Sequence, residues 1–595
     1  MAGKRWQTAT ACVALAAGMA IGSLSAWAGP KRQPTAEELA GWPVAVKGFV
    51  PPAPGEHPRL LFRKGDLPAL RKKAETPEGK AILRRLRVQL NGGDGESMPR
   101  IGGARGGGDE GGPAGVYSIS HMAGFGLLYQ LTGDKKYAEL GKQCMEKAFA
   151  GTPNFDPRYA FAHPNGALRA GPSLGWTTLG YDLCYDGWDE AYRTKVAKAI
   201  AEYNPGKDKS LPELARGDRQ HPGSNHWGMI VGGGAMALLG IMNDGGVDMA
   251  KIKPLLEASE RSMKINLTQG FGDGGFFAEG DGTGSMSSHI VFTSALEAWR
   301  VAAGKDFYSP RPNAQWPVLK WFFLTALGGD PANLRASFPE RGAYPQNIWS
   351  RTGISGGCYF GIGFGVADDE QKAAMLWFYD HSGLKALDAK SSYGLDAPSP
   401  YPHHSVLSFV NWPVGMAEKN PGEVLPHAFR DSAWKFYAWR NRWKDGDDVI
   451  ISILAGDTKG NYGCKGENTL TIQTGGSKLK WGSVNGGFKG DFAPAADGST
   501  VLTTGDGIGL AIDFSGASGA DAMLVMAGPA VPGGNVVTAG GATFTFGFFG
   551  KGTPAKPQAA GDKVTVGGQT VSFKDGHVVL GKMAGPGKTL GTPAK

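Results

Sequence analysis

Several short stretches of the chain carry side chains suited to chemistry. Ser224-Asn225-His226-Trp227-Gly228 opens an apolar run in which Trp227, Ile230, Val231, Leu238, Leu239 and Met242 fall at helical spacing. Ser224 is the expected N-cap, which puts Asn225 and His226 in the first turn. Unpaired N–H groups and the helix dipole favour an anion there. The same pair also reads as a capping amide and a structural histidine.

Asp273-Gly274-Gly275 and Glu279-Gly280 put two carboxylates six residues apart in a Gly-rich loop. Such a pair suits acid–base work on opposite sides of one bond; Asp273 shaping a turn and Glu279 pairing with a helix end is the plainer reading. His289, followed by Phe292, Leu296 and Trp299, falls on the buried face of an expected helix. His403-His404 precedes a β-rich run, SVLSFVNW. On a strand, adjacent side chains face opposite ways, so at most one of the two histidines enters a site. Tyr344, Tyr393, Tyr401, Arg341 and Arg351 lie in the segments joining the two halves of the chain.

The elements that must position these groups differ between the halves. Helical segments are expected over 118–132, 134–150, 172–186, 189–203, 224–243, 248–269, 284–304, 314–327 and 369–381, after an earlier one from Asp66 to about Leu90. Paired helices in series without intervening strands suggest helical hairpins arranged as a toroid. After about residue 400 the segments become short and β-branched: 436–443, 448–454, 468–473, 508–513, 521–527, 542–549 and 563–573. Turn signals such as Asp445-Gly446 and Gly475-Gly476 separate them, as in an antiparallel β-sandwich. The expected division is a signal peptide at 1–28, an extended lead-in at 29–56, an (α/α) toroid at 57–385 and a β-sandwich at 386–595. An interdomain cleft is the default binding site.

Lys4 and Arg5 precede an apolar stretch from Ala9 to Leu24 and the small-x-small site Ala26-Trp27-Ala28. That is the pattern of a secretory signal, so a secreted or periplasmic protein is expected, with no membrane span after cleavage. The remaining cysteines, Cys144, Cys184, Cys358 and Cys464, are too few and too scattered for a disulfide scaffold, and no pair has zinc-site spacing. No metal and no cofactor is expected. The 595 residues carry a net charge of +8, lowered by two when the signal is removed. Lys and Arg are scattered, as on a solvated surface. The pattern fits an acidic ligand better than a nucleic-acid footprint. Oligomeric state is not readable.

His57-Pro58-Arg59-Leu60-Leu61-Phe62 with Asp66-Leu67-Pro68-Ala69-Leu70-Arg71, then Tyr181-Asp182-Leu183-Cys184-Tyr185-Asp186-Gly187, the Asn225-His226 segment and Asp273-Gly274-Gly275…Glu279-Gly280 together resemble the heparinase II/III-like polysaccharide lyases. The likeness covers most of residues 57–305. It implies β-elimination of a uronate-containing polysaccharide such as heparan sulfate or alginate, with Asn225 and His226 neutralising the uronate carboxylate. The chain departs from the family pattern twice. A Tyr expected shortly after Glu279-Gly280 is missing, with His289 the nearest titratable group. A His-x-His-x-Asp run is replaced by Gly460-Asn461-Tyr462-Gly463-Cys464-Lys465-Gly466-Glu467-Asn468, which puts the family's metal site in doubt. Asn225, His226, Glu279, His289 and His404 are therefore the candidate catalytic residues for an acidic polysaccharide substrate. Two other functions stay open: a glycoside hydrolase using Asp273 and Glu279, and a non-catalytic glycan-binding protein.

Overall fold

The computed structural model describes residues 40–90, 119–152, 158–218, 220–280, 291–309, 319–320, 322–331, 334, 340–341, 359–390, 401–458 and 464–590. Among the described residues helices dominate up to Val424, and the larger sheets, antiparallel but for the pairing of Thr589–Leu590 with Ala428–Phe429, begin at Ala428. The main helices are α1 (Leu67–Ala74), α2 (Pro77–Gln89), α3 (Ile119–Thr132), α4 (Lys135–Phe149), α5 (Ala167–Cys184), α6 (Glu190–Ala201), α7 (Asn225–Ile241), α8 (Met249–Ile265), α9 (Phe292–Ala303), α10 (Asp369–His381) and α11 (Pro402–Asn411). None among the described residues is long and apolar enough to cross a membrane.

Helix α7 is apolar on every side, and all of it except His226 is buried. A helix of that kind belongs inside a helical assembly. Its glycines decide how close its neighbour comes: a Cβ on Gly233 would collide with the Gly171 backbone of α5. Gly171 meets Met229 and Ile230, while Gly240 meets Thr178, so α5 and α7 run parallel. In the same way Gly180 meets Met122 and Gly126 meets Leu183, which makes α3 parallel to α5. The N-termini of α3, α5 and α7 therefore open toward one end of the helical half. At the other end a buried network ties down the chain entry. His57 Nδ1 lies 2.7 Å from Asp182 and its Nε2 3.0 Å from Asp244, Arg59 pairs with Asp244, and Tyr181 donates to Asp244 at 2.8 Å.

Among the described residues the strands form three larger sheets, besides two short ladders that pair Val44–Ala45 with Lys305–Asp306 and Glu340–Arg341 with Lys465–Gly466. The first orders β16-β1-β2-β3-β4-β5, with β1 (Ala428–Asp431), β2 (Phe436–Arg440), β3 (Ile450–Leu454), β4 (Thr469–Thr474), β5 (Ser477–Ser483) and β16 (Thr589–Leu590). The second orders β6-β7-β8-β9-β11-β10, with β6 (Phe488–Lys489), β7 (Thr500–Thr504), β8 (Gly509–Asp513), β9 (Ala520–Ala527), β10 (Asn535–Ala539) and β11 (Ala542–Gly552). One apolar cluster, including Trp439, Ile451, Ile472, Leu510 and Leu524, joins these two sheets. A four-stranded sheet, β12 (Gln558–Ala560) to β15 (His577–Leu580), covers the other face of the second through Val525, Phe544, Val566 and Val571.

Three expectations are corrected. Residues 402–411 form a helix, not a strand: Pro402 starts it, and Lys73 Nζ donates to the carbonyls of Phe409, Val410 and Trp412 at its end. The stretch from Asp66 to Leu90 breaks in two at Thr76, whose hydroxyl caps α2. Residues 563–573 form a hairpin, Lys563–Val566 and Gln569–Lys574, turning at Gly567 with φ +59°.

Candidate functional site

The site forms where α7 begins. Gly223 N–H donates to His221 Nδ1 at 3.0 Å, and the Ser224 hydroxyl accepts from His226 N–H at 3.3 Å, so a tight turn delivers the next two side chains. Asn225 is buried, and its N–H and Nδ2 both donate to Glu279 Oε2, at 2.9 and 2.7 Å. The two family-like segments thus meet directly. Burial pushes the Glu279 carboxyl up to about 7, against the lowering effect of the Asn225 donors. His226, half-buried, is held down at about 4, first by burial and then by the charge of Arg169. At neutral pH its imidazole is uncharged.

Arg169 is the residue that sequence reasoning missed. It stands in the first turn of α5, which runs parallel to α7, and is only 8% exposed. Its guanidinium lies over the Tyr159 ring at 5.3 Å, and neither Nε nor Nη1 has a hydrogen-bond partner among the described residues. A buried guanidinium in that state is poised for an anion. Asn266 is a second addition. It opens the π-helical turn Asn266–Gly270, and both its amide atoms are buried without a partner among the described residues. Gly270 packs between Asn266 and the Pro222 carbonyl, which brings this turn beside the His221–Asn225 segment. π-turns often mark functional positions.

The other candidates sort differently. Asp273 accepts from Ala433 N–H at 3.0 Å and from the Ser432 hydroxyl, so it is occupied at the start of the sheets. His403 and His404 are both buried on α11, not on opposite faces of a strand; His403 stacks on Trp176 at 4.2 Å. Burial, then Arg85, holds His404 down at about 3. Tyr401 stacks on His403 at 5.5 Å. Glu467 pairs with Lys480 at 2.6 Å, while Arg341 pairs along the backbone with Lys465. His289, Tyr344, Tyr393 and Arg351 lie outside the described residues, as does the signal segment. His57, Asp182 and Tyr181, which carried part of the family likeness, belong to the buried network at the far end of α5 and α7.

No family model and no curated protein matches the chain. Among solved structures, one of heparinase III aligns over 84% of this chain and 90% of its own, at 10% identity and a TM-score of 0.34. A second heparinase III, with methylated lysines, aligns over 78% of this chain and 82% of its own, at 11% identity and 0.30. These are distant structural likenesses, and no residue's role is carried over from them.

Proposed function

We propose that the chain is an exported polysaccharide lyase-like enzyme that cleaves a uronate-containing polysaccharide by β-elimination. In this reading the helical half is an (α/α) toroid and the first two sheets are an antiparallel β-sandwich. The boundary falls near residue 425 rather than 385, because α11 packs on α2 through Arg85 and Ser405 (2.8 Å) and so belongs with the helices.

The carrying observation is the buried Arg169 guanidinium, two of whose nitrogens have no hydrogen-bond partner among the described residues, acting on an uncharged His226. Elimination needs the uronate carboxylate neutralised, so that the C5 proton becomes acidic. Arg169 supplies that charge, at parallel helix N-termini that favour the same anion. This leaves His226 free to take the C5 proton, as a neutral imidazole can. The C4–O bond then breaks as the C4–C5 double bond forms, and a proton is delivered to the departing oxygen. Glu279, held near 7, fixes Asn225 and keeps a proton available at neutral pH. The hydrolase reading is weaker, because Asp273 is already engaged by Ser432 and Ala433.

The test is the ultraviolet absorbance of unsaturated uronate formed from heparan sulfate, chondroitin, hyaluronan and alginate, with His226→Ala alongside. A rise on one polymer that the variant abolishes supports the reading. No rise on any of the four, with binding retained, points to a glycan-binding protein.

A further inference from the structure

The segment that carries Glu279 is held from the sheets rather than from the helices. Residues 271–277 make a small hairpin: Phe271 bridges Phe277, Gly272 N–H donates to Phe276 O at 2.9 Å, and Gly275 turns at φ +93°. At its tip, Gly274 N–H and Phe276 N–H donate to one oxygen of Asp431, at 3.1 and 2.9 Å. The other Asp431 oxygen accepts from Trp434 N–H at 2.9 Å. A side chain on Gly272 would collide with the Asp431 carboxylate, so the approach requires glycine there. Asp273 reciprocates by accepting from Ser432 and Ala433, and Phe276 stacks on Phe436 at 4.6 Å. A last grip comes from Thr458, whose hydroxyl donates to the carbonyl of Ala278, one residue before Glu279.

We propose that Asp431 and Asp273 are positioning residues, a reciprocal carboxyl clamp by which the sheet half fixes Glu279 against Asn225. The catalytic consequence rests on the lyase reading above; the clamp itself does not. Burial, then the Asp273 charge, puts the Asp431 carboxyl well above its usual range. The other ionisable groups nearby are Tyr437, whose phenol burial raises, and Arg430. The two carboxyls differ in what an amide can replace. An Asn at 273 keeps an oxygen for Ala433 N–H, and the Ser432 hydroxyl can turn to accept from its amide. An Asn at 431 turns an NH2 against a backbone N–H.

Hydrogen exchange by mass spectrometry, resolving 270–280 and 224–228, tests this on the full chain in Asp431→Asn, Asp273→Asn and Thr458→Val. Asp431→Asn is expected to speed exchange about tenfold or more in both windows, because Asn225 N–H loses its acceptor when Glu279 drifts. Thr458→Val does the same to a smaller degree and serves as the milder variant if Asp431→Asn does not fold. Asp273→Asn, which keeps an acceptor for Ala433 N–H, loosens both windows less than Asp431→Asn does. Faster exchange confined to 270–280 overturns the positioning of Glu279. Loss of turnover in Asp273→Asn, with protection and KM intact, makes Asp273 catalytic and overturns the clamp assignment. A parent that cleaves none of the polymers sinks the lyase reading and leaves the exchange result standing for the clamp.

Discussion

Glu279 Oε2 accepts two hydrogen bonds from the same residue, Asn225, one from its backbone N–H at 2.9 Å and one from Nδ2 at 2.7 Å. A carboxyl in the 270s therefore caps the helix that presents His226. The buried pair is separated by 54 residues in sequence, and its geometry is the part of the site on which the mechanism depends most.

Replacing Glu279 with Gln leaves one acceptor oxygen but removes the titrating proton. Turnover is expected to fall on the order of 100-fold, as for a site group shifted from its working position. KM should change little, and steady-state kinetics on the responsive polymer would show the split.

The same variant has a pH signature. The Glu279 carboxyl is raised in the fold from 4.5 to about 7, so folding favours its protonated form. Its contribution is full below about pH 4.5 and is lost as pH rises through about 7. Relative to the parent, Glu279→Gln should therefore gain thermal stability between pH 5 and pH 8. Taking the difference removes the opposite trend of His226 and His404, whose lowered pKa values cost stability as pH falls below 6.5. A flat difference in melting temperature across that range contradicts the assignment.

Arg169→Met removes a buried charge that has no hydrogen-bond partner on two of its nitrogens among the described residues. Such a change costs little stability, because beyond the stacking on Tyr159 it strands no buried counter-charge. Affinity for the acidic polymer should fall about tenfold or more, as a charge-assisted contact is lost. Calorimetric binding together with a melting curve distinguishes this from a structural arginine, whose loss would lower stability.

Gly233→Ala pushes a methyl into the Gly171 backbone between two parallel helices. The expected cost is about 1–3 kcal/mol or more, the range for overpacking a tight core. Urea unfolding measures it directly.

Some of this was legible in sequence, and some was not. Ser224 as N-cap and the α7 periodicity rest on local signals, and the structure places those residues accordingly. Residues 402–411 misled because Ser-Val-Leu-Ser-Phe-Val-Asn-Trp is rich in β-branched and aromatic residues. The available signal was Pro402 at the start, with Ser405 and Ser408 three apart, both of which meet Arg85. Arg169 gave no local sign. What singles it out is burial with two nitrogens that find no hydrogen-bond partner among the described residues, a property of packing between α5 and the loop carrying Tyr159. Asp431 was equally silent, since its partners lie 155 and 157 residues away.

The most direct test of the central claim is to digest the responsive polymer in ¹⁸O-enriched water and weigh the products. β-Elimination predicts an unsaturated uronate end, products one water lighter than hydrolysis gives, and no ¹⁸O at the new reducing end. Products that carry ¹⁸O and lack the double bond would contradict it and make the chain a hydrolase.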